Sequence, residues 1–153
     1  MKRIILLAFL CTTTLVMAQR INHVQEAIAN YDYEAALTLI AKEKPTIPLL
    51  LQKGKAQRGL GMNTEALSTY QEIITNDTAN TRAYIEAAEC CRSLAKYQQA
   101  LKYYEQALDL NPENKYVRIQ YIGLLLSLQK FQDALGESSL TVSYTHLTLP
   151  TKA

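Results

Sequence analysis

Apolar and polar positions follow a helical rather than a strand period over most of the chain. Tyr84, Ala87, Ala88 and Cys91 are separated by three, one and three residues, which places them on one face of a helix. Ala100, Tyr104 and Ala107 do the same in the next segment. The pattern predicts helix pairs at 20–30 with 33–44, 47–60 with 63–75, 81–94 with 97–109, and 115–128 with 130–139. Gly61, Lys96 and Lys130 mark the tight turns within pairs, and Pro112 after Asn111 stops one helix before the next begins. The start of the chain departs from this period. Met1-Lys2-Arg3 precedes an unbroken apolar run from Ile4 to Leu10, and Val16-Met17-Ala18 follows. That order is the form of a secretory signal peptide cut after Ala18, and the run is shorter than the roughly 20 residues a membrane span needs. An uncleaved signal anchor is the competing reading. Cys11 is an unsuitable lipidation site because bulky Phe9 and Leu10 precede it.

The helical segments repeat one another. Leu94-Ala-Lys-Tyr-Gln-Gln-Ala-Leu101 returns as Leu128-Gln-Lys-Phe-Gln-Asp-Ala-Leu135. The same step backwards places Ala66-Leu67 under Ala100-Leu101 and Tyr70 under Tyr104. A further echo, Tyr33-Glu34-Ala35-Ala36-Leu37, comes at a shorter step, with Ala36 rather than Asp32 answering Ala66. A period near 34 made of two helices is the pattern of the tetratricopeptide repeat, which this chain resembles. Within 81–114, Tyr84, Ala87-Ala88, Ala100, Tyr104, Ala107 and Pro112 stand at that repeat's aromatic, small and proline positions, with Cys91 where a Tyr is usual. The stretch 47–80 matches at Gly54, Ala66 and Tyr70 but has Ile73 and Thr78 in place of the small residue and the proline. The resemblance implies an all-α fold of antiparallel helix pairs stacked as a right-handed superhelix. Its units would lie at about 19–46, 47–80, 81–114 and 115–140, after a signal peptide at 1–18.

Composition narrows the class. Only 5 Gly and 4 Pro occur in 153 residues, about half the usual share, which disfavours a turn-rich β fold. The charge of +2 gives no electrostatic case for nucleic acid. Without residues 1–18, which hold Lys2 and Arg3 and no acid, it falls to zero. Cys90 and Cys91 would then be the remaining cysteines, and as sequence neighbours they are read as small core or groove thiols rather than a disulfide.

Chemical motifs are weak. No phosphate-binding loop, zinc-protease helix or nucleophile elbow is present. Gly59-Leu60-Gly61 reads as a helix C-cap, and His23 has no Cys or second His near it in sequence. We therefore expect no catalytic residue, no cofactor and no metal. The resemblance implies instead a groove lined by the first helix of each pair. Carried onto this chain, its residues are Leu51, Lys55 and Arg58; Arg82, Ile85, Glu89 and Arg92; and Ile119, Gly123 and Leu126. The family's clamp for C-terminal carboxylates wants Lys or Asn where Leu51, Lys55, Ile85 and Glu89 stand, so only Lys55 suits it.

The last residues break the period. Residues 141–153 carry Thr, Ser and Pro without acids and resemble a translated sequencing adapter. They are expected to be a non-native or disordered tail, Tyr144 and His146 receive no functional weight, and the natural array is expected to continue. The expected function is an exported, periplasmic or envelope-associated scaffold that binds a protein or peptide partner, does no chemistry, and meets the membrane only through its signal peptide. The alternative is an interaction module of a larger envelope enzyme, sensor or assembly factor.

Overall fold

The computed structural model describes residues 21–128 and residue 136. The signal peptide with Cys11, the helix expected at 130–139 (apart from Gly136) and the tail at 141–153 lie outside the described residues. The described chain is helical, without strands: α1 at 21–29, then α2 Tyr33–Ile40, α3 Ile47–Gly59, α4 Asn63–Asn76, α5 Thr81–Ser93, α6 Tyr97–Leu110 and α7 Lys115–Ser127. Contacts divide it into two compact units that meet in sequence between Thr69 and Tyr70, within α4.

The turns inside the pairs share one chemistry. After α3, the Gly61 N–H donates to the Arg58 carbonyl and the Met62 N–H to the Gln57 carbonyl. After α5, Ala95 donates to Arg92 and Lys96 to Cys91; after α1, Tyr31 donates to Ile28 and Asp32 to Ala27. Each is a Schellman cap, which satisfies helix-end carbonyls by turning one residue left-handed. That residue is Gly61 at φ 76°, Ala95 at φ 56° and Tyr31 at φ 61°. Of the two turn positions in the described residues, Gly61 is thus as expected, while the second turn pivots on Ala95. Lys96 is instead the N-cap residue of α6. The starts of the helices are also periodic. Asn80 and Asn114 accept from the N–H groups of Ala83 and Val117, each at 3.1 Å, and so cap α5 and α7.

In the first unit, Val24, Ile28, Ala36, Ile40, Leu49 and Ala56 form the core. Gln57 is buried beside them, and its Oε1 accepts from the Thr69 hydroxyl at 2.8 Å. A Cβ added to Gly59 would come within 2.3 to 2.6 Å of the Tyr33 ring, so glycine there lets the ring lie on the helix end. The second helix of this pair is shorter than expected. α2 ends at Ile40, where Lys42 and Glu43 donate to Leu39 and Ile40 in tight turns, and not at residue 44. The repeat spacing explains this. The step from Tyr33 to Ile47, where α2 and α3 start, is shorter than the equal steps from Asn63 to Thr81 and from Tyr97 to Lys115.

In the second unit, α5 packs on α6 and α6 on α7. Ala87, Ala88, Ala100 and Ala107 are fully buried, and their small side chains let the helix backbones approach closely. Tyr104 fills the space between them, as its packing position implies, whereas Tyr97 is exposed. Ile73, at the position where the repeat usually has a small residue, is fully buried. Cys90 and Cys91 are both buried, and burial pushes the Cys91 thiol up from its ordinary pKa. Arg118 is buried as well, its Nη2 donating to the Pro112 carbonyl at 2.6 Å, which ties α7 to the turn before it.

Candidate functional site

The unit that begins at Tyr70 carries two successive first helices, and their faces can be read together. On α5 the face comprises Arg82, Ile85, Glu89 and Arg92; one repeat later, on α7, the same register holds Tyr116, Ile119, Gly123 and Leu126. Register and burial agree, since the opposite faces carry the buried Ala83, Tyr84, Ala87 and Ala88 on α5 and Val117, Tyr121, Leu124 and Leu125 on α7.

The α7 part of this face is apolar and open. Tyr116 is 56% exposed, Ile119 60% and Leu126 47%. Gly123 is exposed between them, and a Cβ placed there would meet nothing within 4 Å. Three large apolar side chains on one stripe are more than scattered surface residues require.

The α5 part is polar and internally paired. The Tyr104 hydroxyl, reaching up from α6, donates to Glu89 Oε1 at 2.5 Å. Arg92 Nη1 contacts both Glu89 oxygens at 3.3 and 3.4 Å and donates to Gln120 Oε1 on α7 at 2.7 Å. Burial first, and then the bond to Glu89, push the Tyr104 phenol well above its ordinary pKa. Glu89 is therefore not an isolated negative charge facing a partner; Arg92 and Tyr104 hold it. Arg82 is exposed at the start of α5. Between the helices a cleft of about 380 Å³ is lined by Arg92, Tyr97, Gln120, Gly123, Leu124 and Ser127 among others.

The structure thus brings together Glu89, Arg92 and Gly123 of the expected groove, and adds Tyr97, Tyr116 and Gln120. Tyr116 was within reach of the sequence, since it answers Arg82 one repeat later. Gln120 and Tyr97 were not, because only the packing of α5, α6 and α7 makes them neighbours of Arg92. In the first unit, Leu51, Lys55 and Arg58 lie along α3, with Lys55 exposed and the other two half-buried. His23 lies 3.8 Å from Glu26, one turn along the same helix, with both side chains exposed. Among the described residues no group of three His, Cys, Asp or Glu side chains could hold a metal, and no helix is long and apolar enough to cross a membrane.

Two tetratricopeptide repeat models match the sequence, one over residues 51–114 and the other over 92–137, together more than half of the chain. The fold is similar to that of MamA (41-end) from Desulfovibrio magneticus RS-1, at TM-score 0.76 and 14% identity, covering 84% of this chain and 75% of that one. It is also similar to a tetratricopeptide repeat protein from Parabacteroides merdae ATCC 43184, at TM-score 0.76 and 22% identity over 86% of this chain and 54% of that one. A third likeness is to the first such domain of Spaghetti (RPAP3) bound to an HSP90 peptide, at TM-score 0.69 and 20% identity over 73% and 92% of the two chains. The comparison with curated proteins finds no match. The matched repeats, the helix pairs and their repeated caps lead to one conclusion: the chain belongs to the tetratricopeptide repeat family.

Proposed function

We propose that this chain is a non-enzymatic scaffold that docks an extended or helical segment of a protein partner on the first-helix faces of its repeats. The observation that carries the reading is the exposed stripe Tyr116, Ile119 and Leu126 on α7, beside a polar row on α5 already locked in place. A face held by packed helices needs little ordering on binding, which favours affinity. The Arg92–Glu89–Tyr104 set gives the polar row a fixed geometry, and Arg82 supplies a charge for an acid on the partner. The HSP90 peptide of the Spaghetti structure is a different kind of ligand from the one proposed here. Leu51, Ile85 and Glu89 replace the Lys or Asn that a carboxylate clamp requires.

The partner is expected in the cell envelope, because the signal-like start of the sequence supports export. Expression in a diderm bacterium followed by N-terminal sequencing tests this: a mature start at Gln19 supports export, and retained Met1 in the cytoplasm contradicts it. For docking, an envelope fraction is passed over the immobilised chain and over its Ile119→Glu variant. A protein retained by the first and lost from the second supports the reading; equal retention on both contradicts the α7 face.

A further inference from the structure

The first unit holds a slot whose origin is the shortened second helix. It lies between α2, α3 and the connection 41–46, has a volume of about 330 Å³, and is walled by Leu37, Ile40, Ala41, Pro45, Leu49 and Leu50. α2 has 8 residues where α4 and α6 have 14 each, so the turns that would cover the flank of α3 are missing, and Pro45 crosses in their place. The slot is a consequence of the chain's own spacing.

Its chemistry is uneven. The interior is aliphatic apart from Gln57, whose Oε1 already accepts from the Thr69 hydroxyl, and Lys44, Lys53 and Glu43 complete the lining. Among the described residues neither lysine has an ion-pair partner; Lys44 is exposed and Lys53 half-buried. Two ammonium groups against one carboxylate leave an excess positive charge at the margin of an apolar chamber. The volume is at the small end of ligand pockets, roughly 300–1,000 Å³, and has room for one hydrocarbon chain of medium length. We propose that this slot binds a small anionic amphiphile, a medium-length acyl chain carrying a carboxylate, with the chain against Leu37, Leu49 and Leu50 and the head group at Lys53 and Lys44. The site is separate from the α5–α7 face and does not depend on the docking role proposed for it.

The test uses the full chain and two probes, decanoate and decanol, which share the hydrocarbon and differ in charge. Binding is followed by calorimetry and by amide shifts over residues 37–57. Decanoate is expected to bind at least tenfold more tightly than decanol and to shift amides around Ile40 and Lys53. Lys53→Glu is expected to weaken decanoate about tenfold while leaving decanol unchanged. Ala41→Phe, at the exposed C-cap position just past α2, is expected to block both, with circular dichroism showing that the variant keeps its helices. Equal affinity for the two probes, indifference to Lys53→Glu, or shifts confined to residues outside 37–57 would each overturn the proposal.

Discussion

Arg92 on α5 donates to Gln120 on α7 across 2.7 Å, joining the first helices of two successive repeats. The bond crosses a repeat boundary and acts where neighbouring units meet, the interface on which solenoid stability depends. A double-mutant cycle of Arg92→Ala and Gln120→Ala in urea is expected to show coupling of about 1 kcal/mol, a charged hydrogen bond discounted for partial exposure. Strict additivity of the two substitutions would show that the bond does not hold α5 to α7.

The Schellman turns predict opposite effects for two similar-sized changes. Gly61 and Ala95 occupy the same left-handed position, but only glycine does so without a Cβ penalty. Gly61→Ala is expected to cost about 1 kcal/mol and Ala95→Gly to gain about 0.5 kcal/mol, the gain reduced by the greater freedom of glycine in the unfolded chain. Urea midpoints of the two variants check both signs.

Tyr104 makes stability sensitive to alkaline pH. Burial and Glu89 raise its folded pKa above the ordinary value of 10.0, so its contribution is complete below that value, where the phenol is protonated in both states. As the pH rises past it, the unfolded chain loses the proton first and the contribution declines toward the folded pKa. Wild type should therefore lose stability relative to Tyr104→Phe above pH 10, with the difference between them constant from pH 7 to 9. Parallel urea titrations of the two proteins from pH 7 to well above pH 10 make the comparison.

Cys90 and Cys91 should resist modification. Both are buried, and burial disfavours the Cys91 thiolate. Iodoacetamide at pH 8 is expected to leave them unlabelled in the folded protein and to label both in urea, as read by mass spectrometry. Rapid labelling of the folded chain would place a thiol at the surface.

The helices were legible because their information is periodic. Ala36, Ala66 and Ala100 recur at one packing position, and the shortened interval between Ala36 and Ala66 already marked the unit whose second helix is short. The turn at Ala95 was less legible, since alanine carries no left-handed preference; only its alignment with Gly61 identifies it. The candidate face was half legible. Stepping by one repeat finds which positions share a helix face, but hydrogen bonds across helices depend on side-chain reach. Nothing in the sequence pairs Glu89 with Tyr104 and Arg92, which hold it in the fold, and Gln120 gave no signal of its own.

Docking of a partner on the α7 stripe comes down to a single titration. A peptide selected from a display library for binding the full chain is titrated by calorimetry into wild type, Ile119→Glu, and Gln99→Glu on the second helix of the preceding pair. At least a tenfold loss of affinity is expected with Ile119→Glu and no change with Gln99→Glu. Unchanged affinity in the Ile119 variant, or a loss confined to the Gln99 variant, would move the docking surface off α7 and refute the reading.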